Sequence, residues 1–455
     1  MIRKGLATMG ACLILTSAAA GAAEGDAGTS RSSSWVSVAG LLATRYEAAW
    51  NVHPAINGPD DDNESKPLAF LIATLSVRPV TSIEGVLTLA SREISPDTID
   101  DGSFEERWSN TRFIDEAWIK ASHGSAWLKA GKQRLIIGRG LVLDSYQPAV
   151  AGSVTVAHDA PGVSLKAFGA SLDEDGVLRE DLNPYAGGRV DIAFPTAGRL
   201  SLSVSRLWDR NALIPTLLPI NIQLALNDEL FRADDGVLTY WVIDGATEGG
   251  RWSVGGLFVL QTGTLTGVLA PSAPLPARDE SITLSGKATQ LVATYDVTDE
   301  FTLRAMGLYT SGDGRGPVDV VLDQRYEAFV GLFPFIDATN LFFNGGIDAA
   351  FASGTPTASG VLGRGVLAGV LTGVATFDRT TLRVAAADLW SEFSATADSG
   401  RHYGVEFDTE WAYRITDAFT ARLEGDVLFP GSFYHDADPD PEPVYKLAVG
   451  LDVAW

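Results

Sequence analysis

The chain has 455 residues, 46% of them hydrophobic and 20% charged, which excludes a disordered polypeptide, and its 3 Met and 9% aromatics do not suit a helical membrane protein. Acidic residues outnumber basic ones 57 to 34, for a net charge of −23, and no basic run interrupts that balance, so a nucleic-acid partner is not expected. Beyond the N-terminus no stretch reaches the ~18 uninterrupted apolar residues of a spanning helix, and any membrane role falls to strands.

The first segment reads as an export signal. Arg3 and Lys4 form a positive start, Gly5 to Ser17 an apolar run, and Ala20-Gly21-Ala22 or Gly21-Ala22-Ala23 a small-residue cleavage site. Cleavage after Ala23 leaves 432 residues with a net charge of −25. It also removes Cys12, the only cysteine, so neither a disulfide nor a cysteine metal site is expected. Residues 24–34 then form a short periplasmic segment, and 35–455 a single domain.

That domain reads as strands throughout. In chain order the candidates are 35–50, 67–78, 82–92, 111–122, 125–135, 149–157, 162–172, 186–194 and 198–208. The series continues with 236–246, 250–262, 287–297, 300–311, 363–376, 380–391, 401–414, 418–429 and 443–455. Segment 149–157, with its small residues around Gly152, reads either as a strand or as part of an inward loop. From Gly198 to Ser205, Leu200, Leu202 and Val204 alternate with Arg199, Ser201, Ser203 and Ser205. From His402 to Arg414, Tyr403, Val405, Phe407, Thr409, Trp411 and Tyr413 alternate with an inward row that contains Glu406, Asp408, Glu410 and Arg414. Next, Ala421, Leu423, Gly425, Val427 and Phe429 alternate with Thr420, Arg422, Glu424 and Asp426. The last segment sets Tyr445, Leu447, Val449, Leu451, Val453 and Trp455 against Lys446, Ala448, Gly450, Asp452 and Ala454. Strict period two places one row on hydrocarbon and the other on water.

Connection lengths alternate as well. Short turns fall near 79–82, 123–124, 194–198, 245–250, 297–300, 377–380 and 415–418. Nine long polar connections lie near 51–66, 93–110, 136–148, 173–185, 209–235, 263–286, 312–361, 392–400 and 430–442. Short turns at one end and long loops at the other are the pattern of outer-membrane barrels. The expected fold is therefore all-β: a transmembrane antiparallel up-and-down β-barrel of about eighteen strands, in the outer membrane of a Gram-negative envelope. With the first strand beginning near residue 35, neither an N-terminal plug nor a long passenger domain is expected. A barrel of ~16 to 18 strands encloses an aqueous lumen, and function would reside there.

Inward-facing candidates are Arg112, Glu116, Lys120, Trp127, Lys129, Gln133, Arg189, Asp191, Arg251, Arg304 and Arg383, together with Glu406, Asp408, Glu410, Arg414, Arg422 and Glu424. Mixed rows of both signs make a solute path; the plainer reading is that such charges pair and solvate the wall. The segment Tyr326 to Ile336 is too apolar for an ordinary exposed loop. Phe329, Phe333, Phe335, Phe342 and Phe343 are therefore expected either to fold into the barrel as a constriction or to form a rim against lipid headgroups.

Three stretches resemble a known family. Glu116-Ala117-Trp118-Ile119-Lys120, Leu128 to Arg134 and Gly138-Arg139-Gly140 look like the strand, turn, strand and G-[RK]-Q segment of the alginate-export outer-membrane barrels. Gly404-Val405-Glu406-Phe407-Asp408 and Phe429 to Phe433 are similar to that family's closing strands, and 329–346 to its aromatic connection. The resemblance implies an eighteen-stranded barrel and passive solute diffusion, with an anionic polyuronate in the named members. The excess of carboxylates on the inward rows argues against alginate itself.

No other chemistry assembles. His402, on the expected inward row beside Glu406, is the only histidine with strand spacing to an acid, and a lumen histidine is the simpler reading, so the chain is not expected to be an enzyme. Asp60 to Glu64, Asp173 to Gly176 and Asp436 to Asp440 carry oxygen ligands without complete calcium-loop spacing, so neither a metal nor a cofactor is expected. The expected partners are outer-membrane lipid, lipopolysaccharide and a hydrophilic solute, with monomer and homotrimer both open. The expected function is a passive channel for small or polymeric hydrophilic solutes. The alternative is a structural or adhesive barrel whose loops block the lumen.

Overall fold

The computed structural model describes residues 35–50, 64–91, 94, 113–157, 162–172, 183–195, 198–219, 222, 231–269, 278–334, 336, 338–343, 359–435 and 440–455. The expected export signal, the expected periplasmic segment to residue 34, Arg112, Phe335 and the acidic stretches 60–63, 173–176 and 436–439 lie outside the described residues.

The first nine strands are β1 (Val36–Trp50), β2 (Glu64–Val80), β3 (Ile83–Ala90), β4 (Ile114–His123), β5 (Ala126–Ile137), β6 (Leu143–Ala157), β7 (Gly162–Leu172), β8 (Asn183–Phe194) and β9 (Gly198–Asp209). They continue as β10 (Phe231–Gly249), β11 (Trp252–Leu269), β12 (Arg278–Asp296), β13 (Phe301–Thr310) and the two-residue β14 (Arg325–Tyr326). The series ends with β15 (Val366–Phe377), β16 (Thr380–Trp390), β17 (His402–Arg414), β18 (Phe419–Pro430) and β19 (Val444–Ala454). Two short helices, α1 (Leu213–Thr216) and α2 (Pro317–Asp323), sit in loops. No described helix is long and apolar enough to cross a membrane.

Eighteen strands pair antiparallel with their neighbours in sequence, and β19 closes on β1 from Leu41 opposite Ala454 to Trp50 opposite Tyr445. The exception is β14, which lies parallel to β12 beside Thr283 and Leu284, beyond the stretch of β12 that β13 covers. Closure gives every wall strand two partners and leaves no edge. The expected alternation sets the two faces: on β19, Val444 and Ala448 are buried inside while Leu447 and Val449 are exposed outside. Other outward rows carry Ile119, Leu128, Leu202, Ile243, Leu291 and Leu371. Rows of exposed aromatics flank this apolar band, with Trp50, Trp208, Trp390 and Tyr445 toward the long loops and Trp252, Tyr295, Phe377 and Phe419 toward the short turns. Such a surface matches a bilayer and its two interfaces.

All eighteen wall strands lie where the sequence alternation puts them, and 162–172 matches β7 residue for residue. Inside the expected loop 263–286 the β11–β12 ladder runs on to Leu269 opposite Arg278, and a second difference is at 136–148. This stretch, expected as a long polar loop, continues the β5–β6 ladder as far as Ile137 opposite Leu143. The segment 149–157 is the far half of β6. Leu135, Leu141, Val142 and Leu143 are the reason: all four are buried here, and an exposed loop would leave them in water.

Candidate functional site: the barrel interior

Three segments turn into the barrel. The first is the far half of the β5–β6 hairpin. Pairing between β4 and β5 stops at Ala117 opposite Lys132, and pairing between β6 and β7 begins at Ala149, so residues 133–148 leave the wall as a free two-stranded finger. Gly131 permits the departure: its φ is +126°, and a Cβ there would strike the Ala117 carbonyl. Arg134 grips Asp144 across the finger with a two-pronged ion pair at 2.6 and 2.7 Å. At the tip, Leu141, Val142 and Leu143 are wholly buried. Arg139 reaches Asp244 on β10, its Nε donating at 2.9 Å and Nη2 at 2.5 Å, with a further bond to the Gly245 carbonyl at 3.0 Å.

The second is the segment between β13 and β15. Its apolar part enters the barrel, so Phe329 and Leu332 are wholly buried. The inner wall holds Val330 at both backbone groups: its N–H donates to the Gln261 side chain on β11 and its carbonyl accepts from Tyr240 on β10, both at 2.7 Å. The two insertions meet. Leu332 N–H donates to the Val142 carbonyl at 2.6 Å, and Asp144 N–H donates to the Phe333 carbonyl at 3.0 Å. The third segment follows β9. Asp209 accepts from the backbone N–H of Leu213 and Ile214 at 2.8 and 2.6 Å, and Ile214, Leu218 and Ile222 are buried. Together with inward Leu207, Leu238, Val259, Ile282, Leu308 and Val366 of β9 to β15, these segments build a dry apolar core on one side of the lumen.

The charged wall lies on the other strands. Lys446 Nζ meets Glu424 at 2.5 Å, Arg45 meets Glu424 at 2.7 Å and Glu47 at 3.0 Å, and Arg422 pairs with Asp452. Arg383 meets Glu410 at 2.6 Å. The far end of the second insertion docks here. Glu406 accepts from Leu341 N–H at 2.5 Å and Phe342 N–H at 3.0 Å, and Asp408 from Asn340 N–H at 3.3 Å. The Asn340 side chain donates to Asp426 at 3.0 Å and Glu410 at 3.3 Å.

Glu406, Asp408 and Glu424 thus point inward, but all three are buried, and the first two meet the inserted backbone rather than an open channel. Arg304 lies on the inward row of β13 with Met306 and Leu308, and Arg414 is exposed at the short-turn end of β17. Glu116 accepts the Trp118 indole N–H at 3.2 Å, and the Lys120 and Lys129 ammonium groups lie over the Trp127 and Trp118 rings. Gln133 is buried in the finger, and Arg189 pairs with Asp191 on the inner wall at 2.5 Å. Phe342 packs against Phe343 and Tyr403, with centroids at 4.9 and 5.1 Å, while Phe329 stands edge-on to Tyr240 at 6.3 Å. Phe333 is partly buried, with a φ of +65° where the second insertion bends.

Three expected orientations change. His402 lies on the outer face, stacked on Trp390 at 4.5 Å and bonded to Asp388 at 2.9 Å, and Tyr403 points inside with its hydroxyl on the Gly365 carbonyl at 2.9 Å. The cause is a bulge where Gly404, with φ +145°, lets β17 gain a residue against β16 and invert the alternation at its first two positions. Arg251 belongs to the β10–β11 turn, where it donates to the Val297 carbonyl at 3.0 Å. The sequence reading missed the finger tip, Arg139, Tyr240 and Gln261. The apolar run at 135–143 and Gly131 were the available signals.

No family model matches the chain, and no curated protein sequence matches it. The solved structures it resembles include the outer-membrane porins OpdQ, OccK9 (OpdG) and OccK11 (OpdR) of Pseudomonas aeruginosa. OpdQ has a TM-score of 0.52 at 9% identity, covering 92% of this chain and 98% of its own. OccK9 has 0.51 at 12% identity, covering 92% and 98%, and OccK11 has 0.50 at 8%, covering 92% and 95%. Identities this low show a common fold. They give the alginate-export resemblance no support.

Proposed function

We propose that the protein is a passive outer-membrane channel of a Gram-negative envelope, admitting small hydrophilic solutes through a lumen narrowed where the hairpin finger meets the inserted β13–β15 segment. Residues 1–23 would direct export and 24–34 would lie in the periplasm, with lipopolysaccharide against the aromatic row near the long loops. The observation that carries this reading is the pair of backbone bonds between the two insertions, Leu332 to Val142 and Asp144 to Phe333. They join elements from separate parts of the wall across the interior, which fits a fixed narrowing rather than a wide pore. Phe329, Phe333, Phe342 and Phe343 support its shape, and the apolar filling of one side of the lumen favours small solutes over a polymer. Of the charged inward groups, those on β4, β5 and β7 to β8 are the best placed to meet solute, because the carboxylates of β17 and β18 are occupied.

The apolar filling also favours a second reading, a surface barrel with a blocked lumen. Reconstitution into planar bilayers decides between them. The channel reading expects discrete conductance steps, which rise when residues 327–343 are deleted. An unchanged conductance in the deletion would remove the constriction, and silence in the intact protein would select the blocked barrel.

A further inference from the structure

The turn-side end of β4 and β5 carries a charge arrangement that the packing does not explain. Ile119 and Leu128 are exposed on the outer face, which places Trp118 and Lys120 of β4 and Trp127 and Lys129 of β5 on the inner one. Lys120 and Lys129 are direct cross-strand partners, a few residues from the short turn at His123 and Ala126. Two like charges directly opposite each other in a sheet repel. Each ammonium rests instead on an indole of the neighbouring strand, Lys129 Nζ 3.8 Å from the Trp118 ring centroid and Lys120 Nζ 5.6 Å from that of Trp127.

The nearest carboxylates, Glu116 and Glu84, act on Lys129 through space but make their direct contacts elsewhere. Glu84, the cross-strand partner of Lys120 on β3, binds Arg78 at 2.6 Å, and Glu116 takes the Trp118 indole N–H at 3.2 Å. Among the described residues neither lysine has a carboxylate at ion-pair distance. In a chain with 57 acidic residues against 34 basic ones, two adjacent ammonium groups are thus held facing the lumen with no carboxylate in direct contact.

We propose that Lys120 and Lys129 form a subsite for a tetrahedral dianion, the phosphate monoester of a small solute, at the turn-side mouth of the lumen. This rests on the channel reading. Lysine ammonium groups are compact point charges with three rotatable donors each, and two of them side by side can approach a tetrahedral group from different sides. A phosphate monoester carries about −1.5 to −2 at neutral pH, so one group offsets both ammonium charges, while a monocarboxylate leaves one uncompensated. The indoles hold the two lysines against the wall and leave their outer hemispheres to the ligand.

The test is block of chloride current through the reconstituted protein by inorganic phosphate, sulfate or acetate added on the short-turn side. At about pH 7.5, phosphate should halve the current at a concentration several-fold below that of acetate. The variant K120Q/K129Q should raise the half-blocking phosphate concentration about tenfold or more, and K120R/K129R, which keeps both charges, should stay within a few-fold of the parent. Lowering the solution to about pH 5 protonates phosphate but not sulfate, so phosphate block should weaken and sulfate block persist. Equal potency of acetate and phosphate, an unchanged response in K120Q/K129Q, or equal weakening of phosphate and sulfate at the lower pH would each overturn the subsite. A wild-type protein that passes no current would defeat the channel reading instead.

Discussion

Arg139 is a non-glycine residue with φ +53°, a left-handed conformation that costs an L-residue about 1–2 kcal/mol. What holds it there is its grip on Asp244, 105 residues away in sequence, at 2.5 and 2.9 Å. Asp244→Asn keeps the shape and removes the charge, and should weaken the contact by about 2 kcal/mol. The expected outcome is a urea-unfolding stability about 2 kcal/mol below that of the parent for the variant refolded into vesicles; an unchanged stability would show that apolar packing alone holds the tip. Nothing in the sequence announces this pairing. Gly138-Arg139-Gly140 stands out only as two glycines around a base, and no spacing rule links it to an aspartate on another strand. His402 and Tyr403 teach a related lesson. Alternation gives a residue's face only while the register is unbroken, and one extra residue beside Gly404 reverses both. The glycine is visible in the sequence, but its +145° φ is not.

At the scale of elements, strand positions were legible because each wall strand must answer to lipid on one face and to the interior on the other. That demand writes period two into β17, β18 and β19. The finger was not legible for the same reason. At its tip every face meets protein, so Leu141, Val142 and Leu143 are apolar in succession, and the run from Leu135 loses its alternation in sequence while keeping the ladder. Gly131→Val should therefore act on the element rather than the site. A branched side chain disfavours the +126° φ and meets the Ala117 carbonyl, so the finger should return toward the wall or the barrel fail to assemble. Semi-native electrophoresis reads this as loss of the heat-modifiable folded band, and a full folded yield would show that the finger bends without glycine. The inserted β13–β15 segment was foreseeable from its apolar content, but its anchorage was not. Asn340 meets Asp426 and Glu410 through one side chain, with carboxylates from two strands. Asn340→Ala should loosen that end, leaving buried Asp426 without its Asn340 donor while Glu410 keeps Arg383, and should increase open-channel current noise about the same mean level. A noise spectrum identical to that of the parent would place the anchorage in the backbone bonds of residues 340–342 to Asp408 and Glu406.

For the whole molecule, closure and solvent are a single question. A sheet joined from β19 to β1 has an inside and an outside, and the outside here bears Ile119, Leu128, Leu291, Leu371 and Val449, which water would not favour over so large an area. The inside is unequally divided. Charges concentrate on β17 to β19 and β1, and the apolar core on β9 to β15, so the inserted segments bind one stretch of wall by burial and the next by carboxylates. A soluble protein and a membrane barrel with this chain make opposite demands on one residue. Val449 lies mid-strand on β19, 53% exposed, with its strand neighbour Ala448 buried inside. In water, Val449→Arg would place a charge on an exposed surface, with an effect within about 0.5 kcal/mol. In a bilayer the same charge faces hydrocarbon near the midplane and should cost about 2–4 kcal/mol. Urea titration of protein refolded into phospholipid vesicles measures this difference directly. A loss of that size supports the lipid-facing assignment for the whole outward row, and a change below about 0.5 kcal/mol in vesicles would place Val449 in water and remove the bilayer from around the barrel.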